Sequence, residues 1–193
     1  IALREYQKAI TYLENVMQII ESGVSLTYYD ITFFSVLLAE AYLQEEKKLG
    51  VWRSNHSKKT HIMNKKNFNT AKKIINRLLK NKDNFPYFYA LGCKLMGDYQ
   101  MLLGNYTDGN KYFYSAVKVC KEQSIKNDLA LTYISWGEWN MEKDQAKSKE
   151  YLKKGLEMLK EIENITLQGY VENLLGIEPA LAETLSATFQ AKE

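Results

Sequence analysis

Apolar residues recur at three- and four-residue intervals along most of this chain, and the rhythm breaks where turn-forming residues stand. From Ala2 to about Glu21, the residues Ile10, Leu13, Val16, Met17 and Ile20 form one stripe that ends near Gly23, which predicts an amphipathic helix. A second helix is predicted from about Thr27 to Lys48. Its start, Tyr28 to Phe34, has strand-like local preferences, but Val36 to Leu43 continues it with helix formers and no breaker. Periodicity then lapses from about Gly50 to Lys65, a stretch holding Trp52 and both histidines. A loop of that length inside a compact array usually has a role or is mobile.

The rhythm resumes from about Asn67 to Lys80, where Phe68, Ala71, Ile74, Ile75 and Leu78 share one side, and Asn84 and Pro86 separate it from the next helix. Pro86 suits a first turn, where its missing N–H costs nothing. Further helices are predicted from about Tyr87 to Leu103, capped by Gly104, and from Asn105 to Gln123. Asn127 or Asp128 caps the next, which runs to about Met141, and another spans Gln145 to Glu163. Weaker signals place short helices at Tyr170–Leu175 and Pro179–Gln190.

Within this series, residues 91–159 contain one helical hairpin followed by a near copy. Gly97, Gly104-Asn105-Tyr106, Gly109, Phe113 and Ala116 in the first correspond to Gly137, Gln145, Ser148, Leu152 and Gly155 in the second. Small residues recur where two helices must cross closely, and large apolar residues stand between them. This is the pattern of a stacked helical repeat. The run from Gly104 to Ala116, with Gly97 before it, resembles the tetratricopeptide repeat family. Ser35, Leu38, Ala39 and Tyr42, continued by Phe68 and Ala71, resemble the same motif split by a long insertion. Tyr133, Trp136, Gly137, Ser148, Leu152 and Gly155 resemble it with one turn residue missing. Gly97 and Gly137 lie 40 residues apart, longer than the family's common repeat of about 34.

The resemblance implies an all-α fold, a right-handed superhelical array of antiparallel helix hairpins over residues 1–176. A half repeat at 1–23 would be followed by repeats at 27–82, 86–123 and 127–163, with residues 177–193 as a capping or docked helix. It also implies that first helices line a concave groove, formed here by Phe33, Val36, Glu40, Leu91, Lys94, Asp98, Met101, Leu131, Ile134, Glu138 and Met141. An acid follows each small residue, at Glu40, Asp98 and Glu138. Such an apolar groove with an acidic stripe suits a protein or peptide segment carrying basic and apolar residues. Docking of another part of the same chain is an alternative. Lys94 matches one place at which family members hold a terminal carboxylate, but Leu95, Asp98, Leu131 and Ile134 do not match, so tail binding of that kind is disfavoured.

Composition agrees with helix: 46% of the 193 residues are apolar, with only 2 prolines and 10 glycines. Charge adds a second theme. All 12 ionisable side chains from Lys47 to Lys82, histidines apart, are basic, among them Arg53, Lys58, Lys59, Lys65, Lys66, Lys72, Lys73 and Arg77. The other 14 basic residues face 23 acids, so the overall +3 hides a basic segment and a remainder of −9. The segment could meet an acidic protein, a phosphorylated segment, RNA or an anionic membrane. A polyanion-binding module is thus the alternative to a peptide scaffold. Nucleic acid is disfavoured, because Trp52 and Phe68 are the only stacking rings within the basic segment itself and no nucleic-acid module is recognisable.

Little points to catalysis. His56 and His61 have no neighbouring carboxylate or thiol in sequence, and no phosphate-binding glycine loop follows a strand, so neither cofactor nor metal is implied. Cys93 and Cys120 lie among apolar neighbours and read as buried free thiols of a reducing, intracellular and cytoplasmic setting. The triplets at Asn55, Asn105 and Asn164 read as chance matches to a glycosylation pattern. No apolar run approaches the ~20 residues of a membrane span, and Ile1 opens no signal segment. The unpaired first helix suggests that the chain starts inside a longer protein, as a scaffold or regulatory part.

Overall fold

A computed structural model describes the backbone of residues 2–56 and 65–177, with side chains from 5 to 49 and from 65 to 177. Among these residues there are eight helices and no strand. They are α1 (Ala2–Glu21), α2 (Tyr28–His56), α3 (Lys65–Leu79), α4 (Pro86–Leu102), α5 (Tyr106–Glu122), α6 (Lys126–Asn140), α7 (Gln145–Glu161) and α8 (Ile165–Leu175). The chain divides into two compact units, Ile1–Val119 and Cys120–Glu193.

In the first unit, α1 packs on α2, α3 packs on both α2 and α4, and α2 also meets α4. The direction of each helix follows from paired residues. Phe68 near the start of α3 stacks on Tyr99 near the end of α4 at 4.2 Å, while Leu78 near the end of α3 meets Gly92. The two helices are therefore antiparallel. By contrast Tyr29 faces Phe88 at 5.0 Å and Glu40 pairs with Lys94, so α2 and α4 run the same way. Their shared core holds Leu43, Phe68, Ala71, Ile75, Phe88 and Leu95. Across α4 and α5, Gly97 receives the Phe113 ring and Gly109 receives Met101. Four residues forward on one helix match four back on the other.

The second unit repeats this interlock in a hairpin of α6 and α7. Gly137 receives Leu152, and Gly155 receives Ile134. α8 closes the hairpin by placing Val171 in a core with Ala130, Leu152, Leu156 and Leu159.

Several boundaries differ from the periodicity. α2 continues through Gly50 to His56, where an interruption is expected from Gly50 onward. One helical glycine costs only about 1 kcal/mol, and no proline stands there to end the helix. The remainder of the expected loop, residues 57–64, and the expected helix from Pro179 to Gln190 lie outside the described residues. Neither Asn127 nor Asp128 caps α6; both sit in its first turn, behind Ile125. α8 begins five residues earlier than expected because the Asn164 side chain accepts a hydrogen bond from the Leu167 N–H at 3.2 Å. Asn164 is thus a helix cap. Gly104 adopts φ 78°, the left-handed conformation expected of a residue ending α4. The start of α2 is locked by Thr27 and Asp30, each side chain accepting from the other's backbone N–H at 3.2 Å.

Candidate functional site

In the first unit, the stripe Tyr29, Phe33, Val36 and Glu40 on α2 recurs at four- and three-residue steps, as do Tyr87, Leu91, Lys94 and Asp98 on α4. Each stripe therefore lies along one side of its helix. Burial separates their members. Phe33 is exposed, Glu40 and Leu91 are half-buried, and Val36, Lys94, Asp98 and Met101 are buried. The last four cannot line an open groove. Val36 belongs to the shared core, and Met101 fills the space left by Gly109.

Lys94 changes the electrostatics expected of this face. Its ammonium donates to the Glu40 carboxylate and lies 3.7 Å from an oxygen of Asp98. Asp98 is only 2% exposed. The acidic stripe is therefore answered from inside the fold by a buried cation, and Glu40 alone among its acids in this unit reaches solvent, its side chain 37% exposed. The Lys94 charge holds the Glu40 carboxyl below its ordinary value, against an opposing effect of burial.

A group of aromatic rings lies at the starts of α2 and α4, about two to three turns before this ion pair. Tyr28 stacks on Phe85 at 5.0 Å, and Tyr29 touches Phe88 and faces Tyr87 at 6.5 Å. Phe88 is buried and anchors the group, whereas Tyr28, Tyr29, Phe33 and Phe85 are 47%, 54%, 39% and 40% exposed. The sequence suggests that its tyrosines chiefly pack between helices. Tyr87, Tyr89 and Tyr112 are half-buried in that manner, but Tyr28, Tyr29 and Tyr114 are surface residues. Phe85 was not a candidate, because it precedes Pro86 in a turn; an aromatic residue at such a place, next to two exposed tyrosines in space, becomes visible only in the fold.

In the second unit, Leu131 and Glu138 are half-buried, Met141 is exposed, and Ile134 is buried against Gly155. Glu138 accepts a hydrogen bond from the Tyr170 hydroxyl. Nearby, Trp136 stacks on Tyr151 at 4.1 Å, and the Lys154 ammonium sits 5.7 Å from the Tyr133 ring.

Of the basic candidates, Lys65, Lys66, Lys72, Lys73 and Arg77 lie on α3 and are all exposed. Arg53 belongs to α2 by its backbone, its side chain lying outside the described residues together with Lys58, Lys59 and His61. Phe68, one of the two candidate stacking rings, is buried against Tyr99.

Both cysteines are free and buried. Burial pushes the Cys93 thiol up to about 11, despite lowering contributions from Tyr89 and Lys82. It is held in its weakly nucleophilic form near neutral pH. Among the described residues no group of three or more His, Cys, Asp or Glu side chains could hold a metal. No helix there is long and apolar enough to cross a membrane.

Comparisons with protein-family models, curated proteins and solved structures give no match.

Proposed function

We propose that this protein is a recognition scaffold of the tetratricopeptide-like kind, a right-handed array of helix hairpins that binds a peptide segment or a neighbouring domain. Its setting is a larger intracellular signalling or regulatory protein, and its role is non-catalytic. Support for stacked hairpins comes from the first unit, where α2 and α4 run the same way with α3 antiparallel to both. The reciprocal glycine contacts in α4–α5 and in α6–α7 support repetition of one hairpin design.

The observation that carries the binding role is the aromatic group of Tyr28, Tyr29, Phe33 and Phe85. Each ring leaves roughly half its surface in water, although a large aromatic side chain contributes 150–250 Å² when buried. Covering ~80 Å² of one ring is worth about 2 kcal/mol at ~25 cal/mol per Å². Rigid rings with polar tips are effective anchors at protein interfaces. Glu40, seven residues beyond Phe33 and so about 10 Å further along α2, favours a ligand whose apolar anchors are followed by Lys or Arg.

The reading is tested by selecting peptides from a random library on the full chain. Enriched peptides should combine aromatic or aliphatic anchors with basic residues. Phe33→Ser should weaken them about 5- to 30-fold, the equivalent of ~1–2 kcal/mol, and Glu40→Lys should weaken those bearing Lys or Arg. Enriched peptides that bind both variants as well as the unaltered chain would refute the assignment.

A further inference from the structure

The exposed face of α3 carries charged residues of one sign only. Lys65, Lys66, Lys72, Lys73 and Arg77 occupy an arc of about 140° at 3.6 residues per turn, opposite the buried Phe68, Ala71, Ile75 and Leu78. Asn69 and Asn76 lie in the same arc and are also exposed. The helix contains no acid. Several surface lysines elsewhere are matched locally: Lys111 lies 3.0 Å from Asp108, Lys126 lies 2.9 Å from Glu161, and Lys154 lies 2.5 Å from Glu150. None of the five α3 cations comes within ion-pair distance of a described acid. Lys72 instead lies 5.7 Å from the Tyr99 ring.

Concentrated like charge on one short helix repels itself and destabilises the fold unless something outside supplies the opposite sign. We propose that α3 is the docking site of an acidic, flexible protein segment rich in Asp and Glu, bound through charge complementarity and independent of the aromatic face described above.

Three features select this occupant over other polyanions. The arc exposes no aromatic ring, so single-stranded nucleic acid loses the stacking that supplies much of its affinity. It exposes no large apolar side chain, so a membrane would be held by charge alone, without an anchor in the lipid. Its length from Lys65 to Arg77 is about 18 Å on a helix ~10 Å wide, far smaller than the ~600–1,000 Å² that one duplex-binding module buries. α4, packed beside α3, offers no surface cation to enlarge it, since Lys94 is buried, and the other exposed cations described nearby in sequence are Lys48 on α2 and Lys80 and Lys82 just after α3. A flexible chain can follow a single row of ammonium groups, whereas a rigid duplex requires a second basic element.

Fluorescence anisotropy on the full chain tests this with a labelled 15-residue Glu/Asp-rich peptide, a 20-base-pair duplex, a 15-base single-stranded RNA and vesicles containing acidic lipid. The peptide should bind at 50 mM salt and weaken at least tenfold by 200 mM. Lys66→Gln, Lys73→Gln and Arg77→Gln together should weaken it at least tenfold. Lys111→Gln, Lys126→Gln and Lys154→Gln together remove the same charge and should change it less than threefold. Equal losses in the two triple variants, no peptide binding at 50 mM salt, or tighter binding of the duplex, the RNA or the vesicles would each overturn the proposal. Circular dichroism confirms that both triple variants remain folded. The Phe33→Ser variant should bind the acidic peptide normally, which separates failure here from failure of the aromatic face.

Discussion

Gly137 and Gly169 both lie in helices of the second unit, yet replacing each by alanine should move stability in opposite directions. Alanine gains about 1 kcal/mol over glycine inside a helix, because it loses less backbone freedom on folding. At Gly169 a Cβ would meet nothing within 4 Å, so that gain should appear almost whole. At Gly137 the added carbon would lie 2.7 Å from Leu152 Cγ, 2.9 Å from Cδ2 and 3.1 Å from the Leu152 backbone nitrogen. Carbon atoms at rest sit ~3.5–4.0 Å apart, so α6 and α7 would have to separate by several tenths of an ångström. The Gly155–Ile134 contact in the same interface resists that movement. Overpacking of this kind costs about 1–3 kcal/mol, so after the helix gain of about 1 kcal/mol Gly137→Ala should be net destabilised by up to roughly 2 kcal/mol. For a chain of this size 1 kcal/mol corresponds to ~2–4 °C in melting temperature. Urea unfolding followed by circular dichroism, with unchanged slope, should show the midpoint falling for Gly137→Ala and rising for Gly169→Ala. Leu152→Ala should cost less in the Gly137→Ala background than alone, since the two side chains would compete for one space. Gly137→Ala raising the midpoint as much as Gly169→Ala does would refute the close approach of α6 and α7.

Other outcomes follow from the ion cluster, the thiols and a cap. Lys94→Met should destabilise the first unit by about 2 kcal/mol at pH 7, less than the ~3–5 kcal/mol of a fully buried pair because Glu40 is 37% exposed. The lowered Glu40 carboxyl adds stability above its ordinary value near 4.5, and that contribution is lost as pH falls through the folded value. The penalty of Lys94→Met should therefore shrink in urea melts as pH drops below about 4.5, and a penalty constant with pH would contradict this. With the Cys93 thiol pushed up to about 11 and both cysteines buried, labelling by a thiol reagent at pH 8 should be slow in the folded protein and rapid in urea. Fast labelling of Cys93 under native conditions would show that its site opens readily. Asn164→Ala should cost about 1 kcal/mol through loss of the α8 cap, visible as a lower midpoint in the same urea assay.

Helical content and most helix limits were legible because the apolar rhythm, Gly104 and Pro86 act locally. The small-to-large matching of Gly97 with Phe113 and of Gly137 with Leu152 was partly legible, since it repeats at a fixed interval. What was not legible depends on contacts between helices. The spacing that places Lys94 and Asp98 on one side of α4 is correct as helical geometry. It does not reveal that Glu40 from α2 arrives to pair with the same ammonium and that the cluster is covered. Periodicity likewise identifies which face of α3 is apolar, but the lack of nearby acids around its lysines is a property of the packed structure. Exposure of Tyr28 and Phe85 was hidden for a related reason: aromatic residues usually bury, and only the fold shows where the helices stop covering them.

The paired contacts between α6 and α7 fix where each helix sits along the other, because Gly137 with Leu152 and Ile134 with Gly155 move three residues forward on one for three back on the other. Sliding by a residue would break both contacts at once. Residues added or lost between Met141 and Asp144 change only the turn. Over evolutionary time the length of such a hairpin can therefore drift while its interlock is retained, so spacing between successive glycines is a poorer guide to kinship among these units than the matched pair of small and large residues across each hairpin.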